Sequence, residues 1–247
     1  MSSFGELSST PAGAFRTTHW SVVLTARDLD NAGGERAMAT LCQEYWSPVY
    51  SFIRRKGKGP HDAQDLAQEF FHRLIAKEFL QNVDREKGRF RTFLLTAVQR
   101  FLCNQWEHSQ AQKRGGGTST ISWDHELAEN LYLKEPADDW SPEKLFDRRW
   151  ALTLLEGALK DLEAEYAQAS KADLFHALQP FIVGEAEHGD YAAAAASLEL
   201  TDGNARQCVL RMRRRYGERL RERIRETVET EDAVEEELRS LSAALSG

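Results

Sequence analysis

DYAAAAASLELTDGNARQCVLRMRRRYGERLRERIRETV, residues 190–228, carries the strongest local signal in the chain. An alanine-rich run ends near Leu198, a tight turn passes through Glu199 to Thr201, and a long arginine-rich segment of helical spacing follows. Small side chains from Ala192 to Ala196 let two helices approach closely. Thr201 is placed to cap the second helix, whose opening residues Gly203 and Asn204 are compact enough to reach a groove floor. The spacing turns Val209 and Met212 toward a core and leaves Arg206, Gln207 and Arg211 outside. This is the pattern of a helix-turn-helix, in which the second helix enters the major groove of DNA and the first braces it. Arginine suits the task because its planar fork holds a guanine edge or a phosphate with two hydrogen bonds. Asn204, Arg206, Gln207, Arg211 and Arg214 are the candidate contacts. Arg206 and Arg211 are placed to read bases, and Arg214 and Arg219 to hold phosphates. The competing reading is a solvated basic helix paired with acidic neighbours.

Net charge over the 247 residues is −7, which on its own argues against a nucleic-acid partner, but the charge is segregated. Nine arginines stand against two glutamates between Arg206 and Arg225, and from Glu226 onward seven acids face the single Arg239. The length suits two small domains better than one large one. No apolar run approaches the roughly 20 residues that span a bilayer, and the opening MSSFGELSST has neither a basic start nor an apolar core, so the expected location is the cytoplasm. Cys42, Cys103 and Cys208 are far apart and lack ligand spacing, which argues against a disulfide framework or a zinc site.

Residues 1–14 read as disordered, and 15–112 as a first helical domain. Met38, Leu41, Cys42, Tyr45, Trp46, Val49, Tyr50 and Ile53 form one helical stripe, which Pro48 should kink or divide. A second stripe runs from Ala63 to Ile75 and a third from Phe93 to Gln105. Between them LQNVDREKGRF reads as an ordered loop. The glycines of QKRGGGTST mark a flexible joint, so 113–141 reads as an acidic linker. Ser141-Pro142 should start the second domain, 142–228, with serine as cap and proline at the first helical position. Residues 229–247 read as an acidic tail. The expected fold is therefore all-α, two helical domains on a flexible acidic linker.

Residues 191–215 resemble, without gaps, the promoter −35-reading helix-turn-helix of extracytoplasmic-function (ECF) sigma factors of the sigma-70 family. Gly203, Arg206, Arg211 and Arg213 fall on that pattern, while Ala205 and Cys208 depart from it. DAQDLAQEFFHRL, residues 62–74, is similar to the segment that in this family grips the β′ coiled coil of RNA polymerase. FRTFLLTAVQRFLCNQW, residues 90–106, is similar to the helix that melts the −10 element. The blocks TTHWSVV, YWSPVY and QAQKRGGG resemble a lineage with a longer inter-domain segment. The resemblance implies a factor that binds polymerase core through its β′ and β subunits and directs promoter recognition and DNA melting. Asp62, Asp65, Leu66, Gln68, Glu69 and Phe70 would bind core. Phe90, Arg91, Gln99, Arg100, Asn104 and Trp106 would bind −10 DNA, with a base pocket completed by the 81–92 loop. Asn204, Arg206, Gln207, Arg211 and Arg214 would bind −35 DNA. The resemblance leaves room for an anti-sigma partner.

The residues support these roles independently. Asp62, Asp65 and Glu69 recur at three and four positions, an acidic stripe beside Leu66 and Phe70, although a plain solvated face has the same spacing. Amide, cationic and aromatic groups on the third helix suit unstacked bases and phosphates, whereas Trp106 could equally pack in a core. No phosphate loop, HExxH or GxSxG occurs and the seven histidines are scattered, so neither catalysis nor a cofactor is expected. Two alternatives stay open: a free-standing helix-turn-helix regulator independent of polymerase, which would need a dimer seam, and an interaction protein whose basic helix docks on its acidic tail.

Overall fold

The computed structural model describes residues 32–76, 89–109, 125–135, 140–184, 190–228 and 230–246. They contain helices and turns without a strand, an all-α architecture. In chain order the helices are α1 (Ala32–Arg55), α2 (Pro60–Ile75), α3 (Phe90–Ser109), α4 (His125–Leu133), α5 (Pro142–Gln168), α6 (Ala172–Val183), α7 (Asp190–Ser197), α8 (Asp202–Thr227) and α9 (Glu231–Ser246). Residues 1–14, the 81–88 part of the expected loop and the glycine run lie outside the described residues.

Helix starts follow the cap chemistry in the sequence. Ser141 Oγ accepts from the Lys144 N–H at 3.2 Å ahead of Pro142, and Thr201 Oγ1 accepts from the Asn204 N–H at 3.3 Å. Each satisfies one otherwise orphaned first-turn donor. Of the two outcomes expected at Pro48, division does not occur: α1 runs unbroken through it from Ala32 to Arg55. Proline removes one ladder bond, at about 3 kcal/mol. Tyr45, Trp46, Val49 and Tyr50, which flank it on one stripe, are all at most 4% exposed, and their burial outweighs that cost.

Two apolar cores result. In the first, the stripes of α1, α2 and α3 meet Ala128 of α4, Phe146, Trp150 and Leu154 of α5, Ile224 and Val228 at the end of α8, and Val234 and Leu241 of α9. Tyr45 stacks on Trp150 with ring centroids 4.2 Å apart and planes 14° from parallel. The second core holds Leu162 of α5, Phe175, Leu178, Phe181 and Ile182 of α6, Ala195 of α7, and Ala205, Val209 and Met212 of α8. Both α5 and α8 therefore run through both cores. The stretch read as linker includes α4, which lies on α1: Glu129 accepts from Arg54 at 2.9 Å through both its oxygens and from the Tyr50 hydroxyl at 2.5 Å. Where the sequence suggests an acidic tail, α9 packs on α5 and α8 with Val234, Glu237 and Leu241 buried.

Charged groups tie the long helices together. Arg223 of α8 reaches Asp161 of α5 at 2.6 Å and also pairs with Glu44 of α1. Burial alone would lower its pKa, but the two carboxylates hold it above the ordinary guanidinium value. Gly157 makes room for this crossing, since a methyl there would run into the Arg223 guanidinium. Arg149 is 3% exposed and donates to Glu135 at 3.0 Å and to Ser47 at 3.3 Å.

Candidate nucleic-acid and polymerase interface

On α2, Asp62 and Asp65 are exposed, Leu66 and Gln68 half-buried. Glu69 is half-buried and accepts from Arg73 one turn on at 2.7 Å. Phe70 is different. It is wholly buried, edge-on to Phe71 and tilted against Phe101, and can serve a partner only by holding α2 in place. The outward face of α2 is thus an acidic edge around the partly open Leu66.

α3 shows a similar division. Phe90 is wholly buried beside Tyr45 and Trp150, whereas Arg100 and Asn104 are exposed. The Trp106 side chain lies outside the described residues. Gln99 is half-buried and donates to Glu143 of α5 at 3.3 Å. Leu66 and Gln99 border one cavity of about 680 Å³ between α1, α2 and α3, together with Lys56, Lys58, Cys103 and Gln105. Candidate core-binding and DNA-binding residues thus meet at one opening, and Lys56 supplies a cation at its edge that also reaches Glu143 at 3.2 Å.

Arg91 is the most engaged of the candidates. Its guanidinium pairs with Glu237 of α9 at 2.9 Å and with Asp147 of α5. Burial would lower its pKa, and the two carboxylates more than reverse this. The neighbouring Arg89 pairs with Glu236 and Glu237, each at 2.9 Å. No spacing rule exposes these pairs, because the partners of Arg91 lie 56 and 146 residues along the chain.

On α8, Asn204, Arg206, Gln207, Arg211 and Arg214 are all exposed, while Ala205, Val209 and Met212 form the buried side. α7 ends at Ser197 and α8 begins at Asp202, so the exposed row starts at the mouth of a four-residue turn. Arg206 is oriented by Asp202 at 2.9 Å and lies over the Tyr191 ring, 4.9 Å from its centroid. The Arg214 side chain is 85% exposed and reaches Glu218 one turn on at 3.4 Å.

Further along, the arginines turn inward. Arg213 donates twice to the Phe181 carbonyl at the end of α6, at 2.7 and 3.1 Å, a favourable place for a cation. Arg215 and Arg219 converge on Glu165 of α5, at 2.9 and 2.5 Å. Burial would raise the Glu165 pKa, but the two guanidinium groups hold it below the ordinary carboxylate value. Arg219, expected from the sequence to hold a phosphate, is thus occupied by Glu165 and by Glu222 at 2.8 Å.

Among the described residues no three His, Cys, Asp or Glu side chains are grouped to hold a metal ion, and no helix is long and apolar enough to cross a membrane. Residues 41–112 match the family model for Sigma-70 region 2, which spans α1 from Leu41, all of α2 and all of α3. The match supports a sigma factor of the sigma-70 family acting in transcription initiation, and implies interaction with RNA polymerase core. No curated protein and no solved structure matches the chain.

Proposed function

We propose that this chain is an ECF-type sigma factor, which binds RNA polymerase core through the open face of α2, reads and melts the −10 element with α3, and reads the −35 element with α8. The Sigma-70 region 2 match over residues 41–112 carries the reading. Other features support it. Exposed Asp62 and Asp65 flank half-buried Leu66, an acidic rim around an apolar contact of the kind a basic coiled coil can cover. On α3, Arg100 and Asn104 offer a cation and an amide to unstacked bases and phosphates. The α7–turn–α8 unit presents Asn204, Arg206 and Gln207 at the start of the second helix, where base edges come within reach.

No step in this function calls for a cofactor or for chemistry by the chain itself. Its contribution is differential binding: strand opening costs a few kcal/mol, which contacts to the separated strand offset. The deciding experiment reconstitutes the chain with RNA polymerase core and measures transcription from a library of promoters. Start sites that depend on the chain and share paired −35 and −10 elements are the expected result. A chain that binds duplex DNA but neither co-migrates with core nor alters its start sites would be a free-standing regulator, and the proposal would fall. Within that assay, Asp65→Ala with Leu66→Ala should weaken co-migration with core while helicity is kept.

A further inference from the structure

Four carboxylates from the second half of the chain close over a polar edge formed by Arg89, just ahead of α3, by Arg91 and Gln99 on α3, and by Lys56 just after α1. Glu237 of α9 is wholly buried and engages Arg89 and Arg91, each at 2.9 Å. Glu236 takes a second nitrogen of Arg89 at 2.9 Å, Ser240 accepts from Arg89 at 3.2 Å, and Asp147 of α5 completes the shell around Arg91. Two turns along α3, Glu143 does the same for Gln99 and Lys56.

The chemistry of this contact is that of a phosphate site filled from within. Guanidinium forks take carboxylate and phosphate oxygens with the same paired geometry. A charge cluster removed from water contributes little net stability compared with apolar packing, so it is a poor permanent fastening. The apolar fastening of α9 is small. Only Val234 and Leu241 are fully buried, with Ala233, Leu238 and Leu245 packed partly against the core. A short amphipathic helix of five acids and one arginine, held by few apolar contacts and an ion cluster, belongs to the part of a fold that opens most readily.

We propose that α9 is a displaceable acidic latch: Glu237, with Glu236, occupies on Arg89 and Arg91 the place of a nucleic-acid backbone phosphate. The closed chain thereby withholds this face of α3 from single-stranded DNA, and displacement of α9 exposes it. The idea rests on the reading of α3 as a DNA-contacting helix.

The test measures binding of a fluorescein-labelled, mixed-sequence single-stranded oligodeoxynucleotide to the full chain by anisotropy across a salt series. Glu236→Gln with Glu237→Gln should raise affinity about tenfold at low salt and steepen the salt slope by about one to one and a half units, the share of two freed phosphate contacts. Adding Arg91→Ala should remove most of that gain. Circular dichroism checks that helicity is kept. Should the pair misfold, Glu237→Gln alone, in which Glu236 and Asp147 still hold the arginines, is expected to give a smaller gain of the same sign. Equal affinity and slope in the natural chain and the folded variant would overturn the latch and leave the DNA reading standing. A gain that survives Arg91→Ala would also overturn it. Absence of binding by every form would overturn the DNA reading of α3 and the latch with it.

Discussion

Glu129 holds two of its three bonds through Arg54, and that guanidinium, ahead of the opposing effect of burial, keeps its carboxyl below the usual carboxylate range. A carboxyl that titrates lower folded than unfolded stabilises the fold above its unfolded pKa of about 4.5, and the contribution is lost as pH falls through the folded value. Glu129→Gln should therefore cost about 1–3 kcal/mol at neutral pH. The natural chain should lose more stability than the variant as pH drops below about 5, converging on it in acid; melting curves over a pH series would check both effects. The arginines of α8 offer a second contrast. Arg214 is 85% exposed and pairs only loosely with Glu218 one turn on, at 3.4 Å, whereas Arg219 is held between Glu165 and Glu222. Arg214→Ala should lower the salt slope of duplex binding by about one unit. Arg219→Ala should leave that slope nearly unchanged and lower the melting temperature instead. Equal slopes for both variants would contradict the division. The sequence makes the outward row from Asn204 to Arg214 legible, because helical spacing alone sets it against Val209 and Met212. It does not show that Arg219 is occupied, because the Glu165 carboxylate arrives from another helix.

At the scale of elements, the turn between α7 and α8 carries strain. Glu199 sits at φ 55°, in the left-handed region, while the Leu200 N–H closes on the Ala195 carbonyl at 2.9 Å. That conformation costs an ordinary residue about 1 kcal/mol and glycine almost nothing. Glu199→Gly should raise stability by up to about 0.5 kcal/mol, since the greater freedom of glycine in the unfolded chain offsets much of the relieved strain. Chemical denaturation of the two chains reads this directly, and a loss of stability would show that the strain is not relieved. Most helices here are legible because their apolar residues recur at three and four positions and their first turns carry caps, as at Ser141 and Thr201. α4 is not, since its nine residues have a short stripe and lie on α1 through Glu129, a bond between residues 75 apart. α9 is obscured in another way: its acids dominate the pattern, and the buried Glu237 looks like any solvated glutamate until Arg89 and Arg91 are seen beside it.

For the whole molecule, the glycine run near residue 115 suggests two independent units, whereas the packing of α5 and α8 joins the two cores. Phe146 and Trp150 lie in one core and Leu162 in the other; Ile224 and Met212 of α8 are divided likewise. Partial unfolding of either core would leave half of each long helix without its partners. Calorimetry should therefore give one cooperative transition, with calorimetric and van't Hoff enthalpies in agreement, instead of two separable ones. Two peaks would indicate that the shared helices uncouple between the cores. This union escapes sequence reading because it depends on rings such as Tyr45 and Trp150 meeting from opposite halves of the chain. The shared helix also has a mechanical side. α8 has 26 residues and so is about 39 Å long, with Ile224 clamped in one core and Arg206 about 27 Å away at the other end. Any tilt of α8 and the second core about that clamp is amplified by this length: about 10° would carry the Arg206 end by about 5 Å, more than one base-pair step of about 3.4 Å.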